Sequence, residues 1–473
     1  ETPLFGVNIL VKNSQIGTQS DEKGHFIIAN LDEGAHTLSI SYLGFRTRDI
    51  PFSVSNGKTL DLGDLILYEG NEILTEVIVE GERINKFSRK KTAYVSKLPL
   101  KDIENTQVYN TITTDLLESQ IVTNFDDAVS SYGGLINVVT KKPYAGSGGE
   151  LSFTSGTYGL NQITGDFNTA LNKNENLYFR LNTSYSTEQS FQDAGFRKSF
   201  FVAPSLSYKV NNKLSFSFYG EITQAEQTNP TFLFLNRGAP TEAQNLGELG
   251  YNNKLSFTSN DLTLENPTQN YRIEMDYKLS DTWQSQTLLS KSSTSTKGYY
   301  SYLYDYGILG KDTFTRFINK QNANTQTTDI QQNFIGDFKI ASLRNRVVIG
   351  LDYFNATETN NSTGYAFYGN VTPEGGSNGD NPFTADVETD SYALSTAAVD
   401  AVLASQAVGN IKSKYHIYSL YASDVLNLTN KISAMLGLRV DRFDNEGNLA
   451  NTDDDYDQTT LSPKFGLLYQ PLL

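Results

Sequence analysis

Hydrophobic residues along much of this chain recur at every second position. Leu214, Phe216, Phe218 and Ile222 share one side, while Ser215, Ser217, Tyr219, Glu221 and Thr223 share the other. Tyr271, Ile273, Met275, Tyr277 and Leu279 oppose Arg272, Glu274, Asp276, Lys278 and Ser280. Ile432, Ala434, Leu436, Leu438 and Val440 oppose Ser433, Gly437, Arg439 and Asp441. Period two with one apolar side marks extended strands that bury that side or place it in lipid. The connections decide between those settings. Short turns fall at Asn172–Asn174, Asn211–Asn212, Ser280–Asp281, Arg344–Asn345 and Thr429–Asn430, and the links between those hairpins are long, at 187–199, 224–269, 293–327, 356–413 and 443–458. Short turns at one end and long loops at the other suit a membrane-spanning antiparallel β-barrel whose polar side lines the lumen. The pattern predicts an all-β chain with about twelve such strands between residues 149 and 473.

The N-terminal part has a different rhythm. Residues 1–68 carry turn signals about every eight to twelve residues, as in a small β-sandwich. Strands are expected at Val7–Val11, His25–Ile28 and His36–Leu43, with a turn at Asp21–Gly24. Residues 69–97 form a linker containing the β-prone stretch Leu74, Thr75, Glu76, Val77, Ile78, Val79 and Glu80, followed by the basic run Arg89–Lys91. Such a stretch reads either as a plain linker strand or as a docking peptide, because its unpaired N–H and C=O groups suit capture by a partner's sheet edge. Residues 98–148 are a compact mixed segment, with helical spacing at Leu116–Ile121 and a strand at Leu135–Thr140.

Composition narrows the function. There is no cysteine, so disulfides, thiolate metal sites and a cysteine nucleophile are excluded. The net charge of −15 argues against a nucleic-acid partner, which calls for clustered Lys and Arg. No apolar run approaches the length of a transmembrane helix, and a barrel needs none. The opening Glu1-Thr-Pro-Leu4 carries no leader signal, so the sequence is expected to be a processed form or part of one.

Several motifs resemble known families. Gly6-Val7, Asp21-Glu-Lys-Gly24-His-Phe26, Leu31-Asp-Glu-Gly34 and Gly44-Phe45 resemble a carboxypeptidase-regulatory-like domain, which has no catalytic role. Gly133, Gly134, Ile136, Asn137, Val139, Thr140, Lys141, Lys142 and Pro143 resemble the end of the plug domain of TonB-dependent receptors. The Thr-Lys-Lys-Pro form is most similar to that of ferric-siderophore receptors, and the domain order to members from the Bacteroidetes. The resemblance implies an outer-membrane location in a Gram-negative bacterium, with the N-terminal domain in the periplasm. It makes Leu74–Glu80 the TonB box, which pairs with TonB and, through it, with the inner-membrane energising complex. Lipid, lipopolysaccharide, a siderophore and other outer-membrane proteins are the remaining partners it implies. The family's plug has a longer middle and its barrel twenty-two strands, so this sequence is expected to omit residues of the natural protein. The plug is then an α+β remnant.

Ligand contacts are expected among Tyr299, Tyr300, Tyr302, Tyr304 and Tyr306 and among Tyr365, Phe367 and Tyr368. These aromatics suit either a girdle at the membrane interface or a stacking surface for a planar iron chelate. Asp453–Asp457 reads as a solvated acidic run, or as an oxygen site for Ca²⁺. The three histidines, His25, His36 and His416, lack metal-ligand spacing, and no nucleophile motif appears, so no enzyme and no resident metal are expected. The expected function is import of a ferric siderophore by energy-coupled plug movement. The alternatives are import of a glycan, peptide or other nutrient, a structural subunit of an outer-membrane complex, and a passive porin.

Overall fold

The computed structural model describes residues 3–67 apart from 13, 15, 30, 43, 44, 46 and 56–59. It further describes residues 97, 98 and 100, and 140–469 apart from 236–242, 244, 306–312, 379–393, 430 and 448–454. The chain divides into two compact units, Glu1–Asn85 and Lys86–Leu473.

In the first unit, β1 (Asn8–Val11), β2 (Gly17–Gln19), β3 (Gly34–Ser41) and β4 (Arg48–Val54) form an antiparallel sheet in the order β2-β1-β3-β4. Val7, Ile9, Val11, Leu38 and Ile40 are buried on one side of it. Phe26, Ile28, Leu31, Leu62, Leu65 and Leu67 cover that core from extended segments outside the sheet. The strand expected at His25–Ile28 is therefore corrected, because this segment is extended but joins no ladder. Its alternation is real: Phe26 and Ile28 pack on the core while Ile27 is 83% exposed. Period two reports which way side chains face, not whether the backbone has a partner. The Asp21 carboxylate accepts the backbone N–H groups of Lys23 and His25, and so shapes the turn that redirects the chain.

The second unit is dominated by one antiparallel sheet. Its first strands are β5 (Gly148–Ser155), β6 (Asn161–Ala170), β7 (Leu177–Gln189), β8 (Phe196–Lys209) and β9 (Leu214–Thr228). Short strands β10 (Phe232–Phe234) and β11 (Thr263–Glu265) precede β12 (Thr268–Lys278), β13 (Trp283–Tyr304), β14 (Phe314–Ile340) and β15 (Leu343–Asn360). Then come β16 (Ala366–Val371), β17 (Ser377–Asn378), helix α1 (Thr396–Leu403), β18 (Ile411–Asn427), β19 (Ile432–Glu446) and β20 (Tyr456–Tyr469). The long strands pair with their neighbours in chain order, β12 between β9 and β13, and β15 against β18. No ladder joins β5 to β20 among the described residues.

The register sorts side chains into rows of opposite character. Phe218, Ile273, Leu289, Ile330, Tyr353 and Tyr418 are successive partners across the sheet. One residue along, the row runs Ser217, Glu274, Leu288, Gln331, Asp352, Ser419 and Asp441. The apolar side is the exposed one, with Ile273, Leu289, Ile330, Leu351, Leu420 and Leu438 open to the surroundings. Asn168, Ser205, Asn333, Ser419 and Asp441 are buried. Water would reverse this polarity. A sheet with apolar side chains outward and polar side chains inward fits a surrounding of lipid.

The links at one end are short: 171–176, 210–213, 279–282, 341–342 and 428–431. At the other end the links between Thr228 and Thr268 and between Asn360 and Ile411 are long as expected, but those expected at 187–199 and 293–327 need correction, because the strands run further than their alternation. The β7–β8 ladder continues to Gln189↔Phe196, which leaves only 190–195 as loop. The β13–β14 ladder continues to Tyr304↔Thr315. β14 has 27 residues, roughly 90 Å of strand where about ten residues span a bilayer. Polar tracts such as Ser292–Thr296 and Asn322–Thr328 read as loop, yet their backbones are fully paired. Beyond the lipid no face needs to be apolar, so alternation lapses while the ladder persists.

These protruding strands carry a folded platform. Leu262, Tyr299, Ile318, Ala366, Tyr368, Val399 and Leu403 form one core, and Phe257, Leu303, Phe314 and Val371 another. Ser395 caps α1 by accepting the Ala398 N–H, and Lys320 on β14 holds Asp400 of α1 at 2.9 Å. Gly298, at φ +127°, lies where β11 crosses onto β13, and a side chain there would collide with the backbone of Thr263 and Leu264.

Candidate functional site

Two short segments outside the long strands lie against the polar side of the sheet. The first is Thr140–Gly146, which contains the end of the plug-like motif. Lys141 pairs with Asp166 at 3.0 Å, and Arg180 grips the same carboxylate through Nε and Nη2 at 2.8 and 2.7 Å. Arg180 Nη1 donates to the Lys142 carbonyl at 2.7 Å, and its guanidinium lies 5.3 Å from the Tyr144 ring centroid. Asn168, which is buried, closes the set. Its Oδ1 accepts the Tyr144 N–H, and its Nδ2 donates to the carbonyls of Tyr144 and Gly146. Asp166 and Asn168 on β6 and Arg180 on β7 share the polar side, opposite Ile163 and Phe167. The backbone here is bonded to the wall as a strand would be, but by side chains.

The second consists of Lys97, Leu98 and Leu100. Lys97 Nζ donates to Tyr421 Oη at 2.5 Å, to Gln331 Oε1 at 2.7 Å and to Asn333 Oδ1 at 3.4 Å, and sits 4.8 Å from the Tyr421 ring centroid. The carboxylates of Asp352 and Asp329 attract the same ammonium. Leu98 is buried with Val348, Tyr421, Val425 and Met435, and Leu100 packs beside it. Tyr421 is itself fixed, because its hydroxyl donates to Asn333 Oδ1 and Arg439 approaches its ring at 5.3 Å. Gly350 leaves the room for that ring, and any side chain there would fall inside it.

The aromatic residues expected to touch ligand are divided by the platform. Tyr302 stacks on Phe317 at 5.3 Å and meets Phe234 and Tyr365 edge-on at 5.4 and 5.2 Å. Tyr300 joins Tyr365 at 6.4 Å. Tyr365 and Phe234 are 47% and 43% exposed, so this cluster is partly open to the surroundings. Tyr299 and Tyr368, at 9% and 0% exposure, lie instead in the core under α1. That corrects the expectation for these two: a ring already enclosed by Leu262, Ile318 and Val399 presents no stacking face. Tyr304 ends β13 opposite Thr315, and Phe367 pairs with Phe317 within β16 and β14. Tyr299 stands sixteen residues along β13 from Trp283, roughly 50 Å of strand, which sets the cluster beyond an interface girdle.

Several expected positions lie outside the described residues: Leu74–Glu80, Gly133, Gly134, Ile136, Asn137, Val139 and Tyr306, the helical spacing at Leu116–Ile121, and Asp453 and Asp454. Of the same acidic run, Asp455 accepts the Gly447 N–H and Asp457 pairs with Arg442. Nothing in the sequence marks Lys97, Asp166, Asn168, Arg180, Gly350 or Tyr421 as site residues. A charged residue on a lumenal row is common in such barrels, and nothing local reveals which segment it meets.

The model described as TonB dependent receptor-like, beta-barrel matches residues 219–472, and that described as CarboxypepD_reg-like domain matches residues 1–79. The chain belongs to the TonB-dependent receptors, the outer-membrane receptor proteins of Gram-negative bacteria. It is 21% identical over 348 residues to the Metal-pseudopaline receptor CntO of Pseudomonas aeruginosa, covering 72% of this chain and 45% of that protein. The Ferrioxamine receptor of Yersinia enterocolitica is 21% identical over 340 residues, covering 71% and 45%. The chain thus spans about half the length of the curated relatives it matches. Its fold is similar to that of BauA, the ferric preacinetobactin receptor of Acinetobacter baumannii, with a TM-score of 0.57 at 14% identity over 70% of this chain and 46% of that one. The pyoverdine receptor FpvA of Pseudomonas aeruginosa gives 0.56 at 13%, over 70% and 45%.

Proposed function

We propose that this chain serves in energy-coupled import of a ferric siderophore or a closely related metal chelate across the outer membrane. The observation that carries the reading is the mooring of Thr140–Gly146 on the lumenal side of β6 and β7. A segment held inside the barrel separates a gated importer from an open pore. The names of the curated relatives, receptors for metal-pseudopaline and ferrioxamine, support the cargo class. So does the partly exposed cluster of Phe234, Tyr300, Tyr302, Phe317 and Tyr365, which suits stacking on a planar chelate. In this reading Leu74–Glu80 is the strand captured by TonB, and the proton gradient of the inner membrane supplies the work.

The test is growth under iron limitation of cells whose only receptor is the full protein, offered single ferric chelates. Rescue by one chelate, lost on deletion of residues 74–80 while chelate binding persists, is the expected result. Growth on a glycan or peptide with no response to any chelate would place the cargo elsewhere. Rescue by the deletion variant would remove the docking role.

A further inference from the structure

We propose that the outward face of β15, β18, β19 and β20 carries a binding site for a phospholipid with a primary ammonium headgroup, built around Asp424. The site is independent of cargo and of docking.

Asp424 stands where the alternation calls for an apolar residue. On β18 it shares the outward side with Leu420, Ala422 and Leu426, while Tyr421 and Val425 face the lumen. Its partners across the sheet are Val347 on β15 and Leu436 on β19, and Leu436 pairs in turn with Phe465 on β20. Leu436 and Phe465 are 58% and 72% exposed, so this row faces the surroundings of the barrel. A carboxylate in such a band is costly, and charged groups persist in lipid where something pairs with them.

The sheet itself pairs Asp424 only in part. Arg346 attracts it and approaches it with the backbone N–H. The Arg346 guanidinium, however, lies on the lumenal side, where Nη2 donates to Asn427 Oδ1. Lys464 is also on the lumenal side, in the row of Gly437 and Ser423. Asp424 Oδ1 is buried and accepts no hydrogen bond. The carboxylate is therefore left to be completed from the outward side.

A groove of about 600 Å³ lies there, with Asp424 in its lining. Its cause is local. The short side chains of Ala422 and Asp424 sit in register between long ones, Ile349 and Leu438 flanking Ala422, and Val347 and Leu436 flanking Asp424. Pro463 and Phe465 line it on the β20 side. Aliphatic and aromatic walls suit an acyl chain, and the one acidic wall suits a cationic headgroup. Depth selects the occupant. Asp424 lies four residues before the short link 428–431, roughly 13 Å along a tilted strand. Short links of such barrels are periplasmic, so the carboxylate sits in the inner leaflet, about where headgroups give way to acyl chains. The cation on offer at that level is a lipid ammonium. A primary ammonium donates hydrogen bonds to a carboxylate, whereas a quaternary one has no N–H to give and an anionic headgroup is repelled.

The full receptor, extracted from outer membranes and stripped of lipid, is titrated in micelles with phosphatidylethanolamine, phosphatidylcholine and phosphatidylglycerol of one acyl composition. Bound lipid is counted by native mass spectrometry. Phosphatidylethanolamine is expected to bind roughly tenfold more tightly than the other two, the scale of one charge-assisted hydrogen bond. Asp424→Asn is expected to abolish the preference. Asp424→Leu, which suits a lipid-facing strand whatever its occupant, is expected to do the same in a receptor that resists unfolding as the wild type does. Equal binding of the three lipids by the wild type, or a preference that survives in either variant, overturns the site. In outer membranes, a photoreactive side chain in place of Leu436 is expected to crosslink phosphatidylethanolamine. Capture of a protein and no lipid overturns the proposal as well.

Discussion

The two moorings on the lumenal wall are built from different materials. At β6 and β7, residues 140–146 are held by a forked Arg180–Asp166 pair and by an asparagine that bonds three backbone groups. At β14–β19, residues 97, 98 and 100 are held by one ammonium and two leucines. Strands β8, β9, β12 and β13 separate the two places along the sheet. Geometry-specific bonds to backbone resist sliding, because each must break outright. Apolar contact and a lone flexible lysine yield gradually. The sheet thus offers one mooring suited to stay and one suited to let go, at opposite ends of the plug-like segment.

The sharpest way to break the comparison is at the firm end. Arg180→Ala removes the fork and the bond to the Lys142 carbonyl, and leaves Asp166 with Lys141 alone. A loss of about 3 kcal/mol in the free energy holding this segment is expected, read from hydrogen exchange at 140–146 in micelles. Asn168→Ala strands one N–H and two carbonyls, at about 2 kcal/mol. If neither change alters protection there, the mooring is incidental. Lys97→Gln at the loose end is expected to cost less, about 1 kcal/mol, with increased exchange confined to residues near 98.

The smallest expected effect lies in the N-terminal unit. The Lys12 ammonium, 2.5 Å from Asp49, holds that carboxyl below its usual value. A depressed folded value stabilises above the ordinary carboxylate range, and that contribution fades as pH falls through the folded value. Because both groups are about half exposed, Lys12→Gln is expected to loosen the tie between the end of β1 and β4 by no more than about 0.5 kcal/mol at neutral pH. The difference from wild type should vanish in acid well below pH 4. A difference that persists there would assign the effect to packing.

What was legible in the sequence follows from where the physics is local. The outward and lumenal rows could be read because lipid imposes alternation residue by residue, as at Tyr271–Leu279. The turns at Asn211 and Ser280 announce themselves by composition, and the Asn211 and Ser280 side chains do accept the N–H groups that close them. The platform was hidden because its strands are polar on both sides within Ser292–Thr296, where only the ladders to β12 and β14 make them strand. Helix α1 leaves a readable trace, with Ser395 as cap and Val399 and Leu403 four apart, inside a stretch whose composition otherwise reads as loop. Thr140–Pro143 stood out as a motif, but its partners Asp166, Asn168 and Arg180 lie on other strands and carry no local mark. Lys97 and Gly350 were invisible for the same reason. Their meaning depends on Tyr421, more than seventy residues further along the chain.

The most direct test compares two full receptors, one carrying Leu98→Cys and the other Tyr144→Cys, and follows thiol labelling in living cells as cargo and energy are supplied. The Leu98→Cys receptor is predicted to become reactive only when both are present, and the Tyr144→Cys receptor to stay protected throughout. Equal labelling of the two receptors, or earlier labelling of the Tyr144→Cys receptor, would contradict the division between the mooring that stays and the one that lets go.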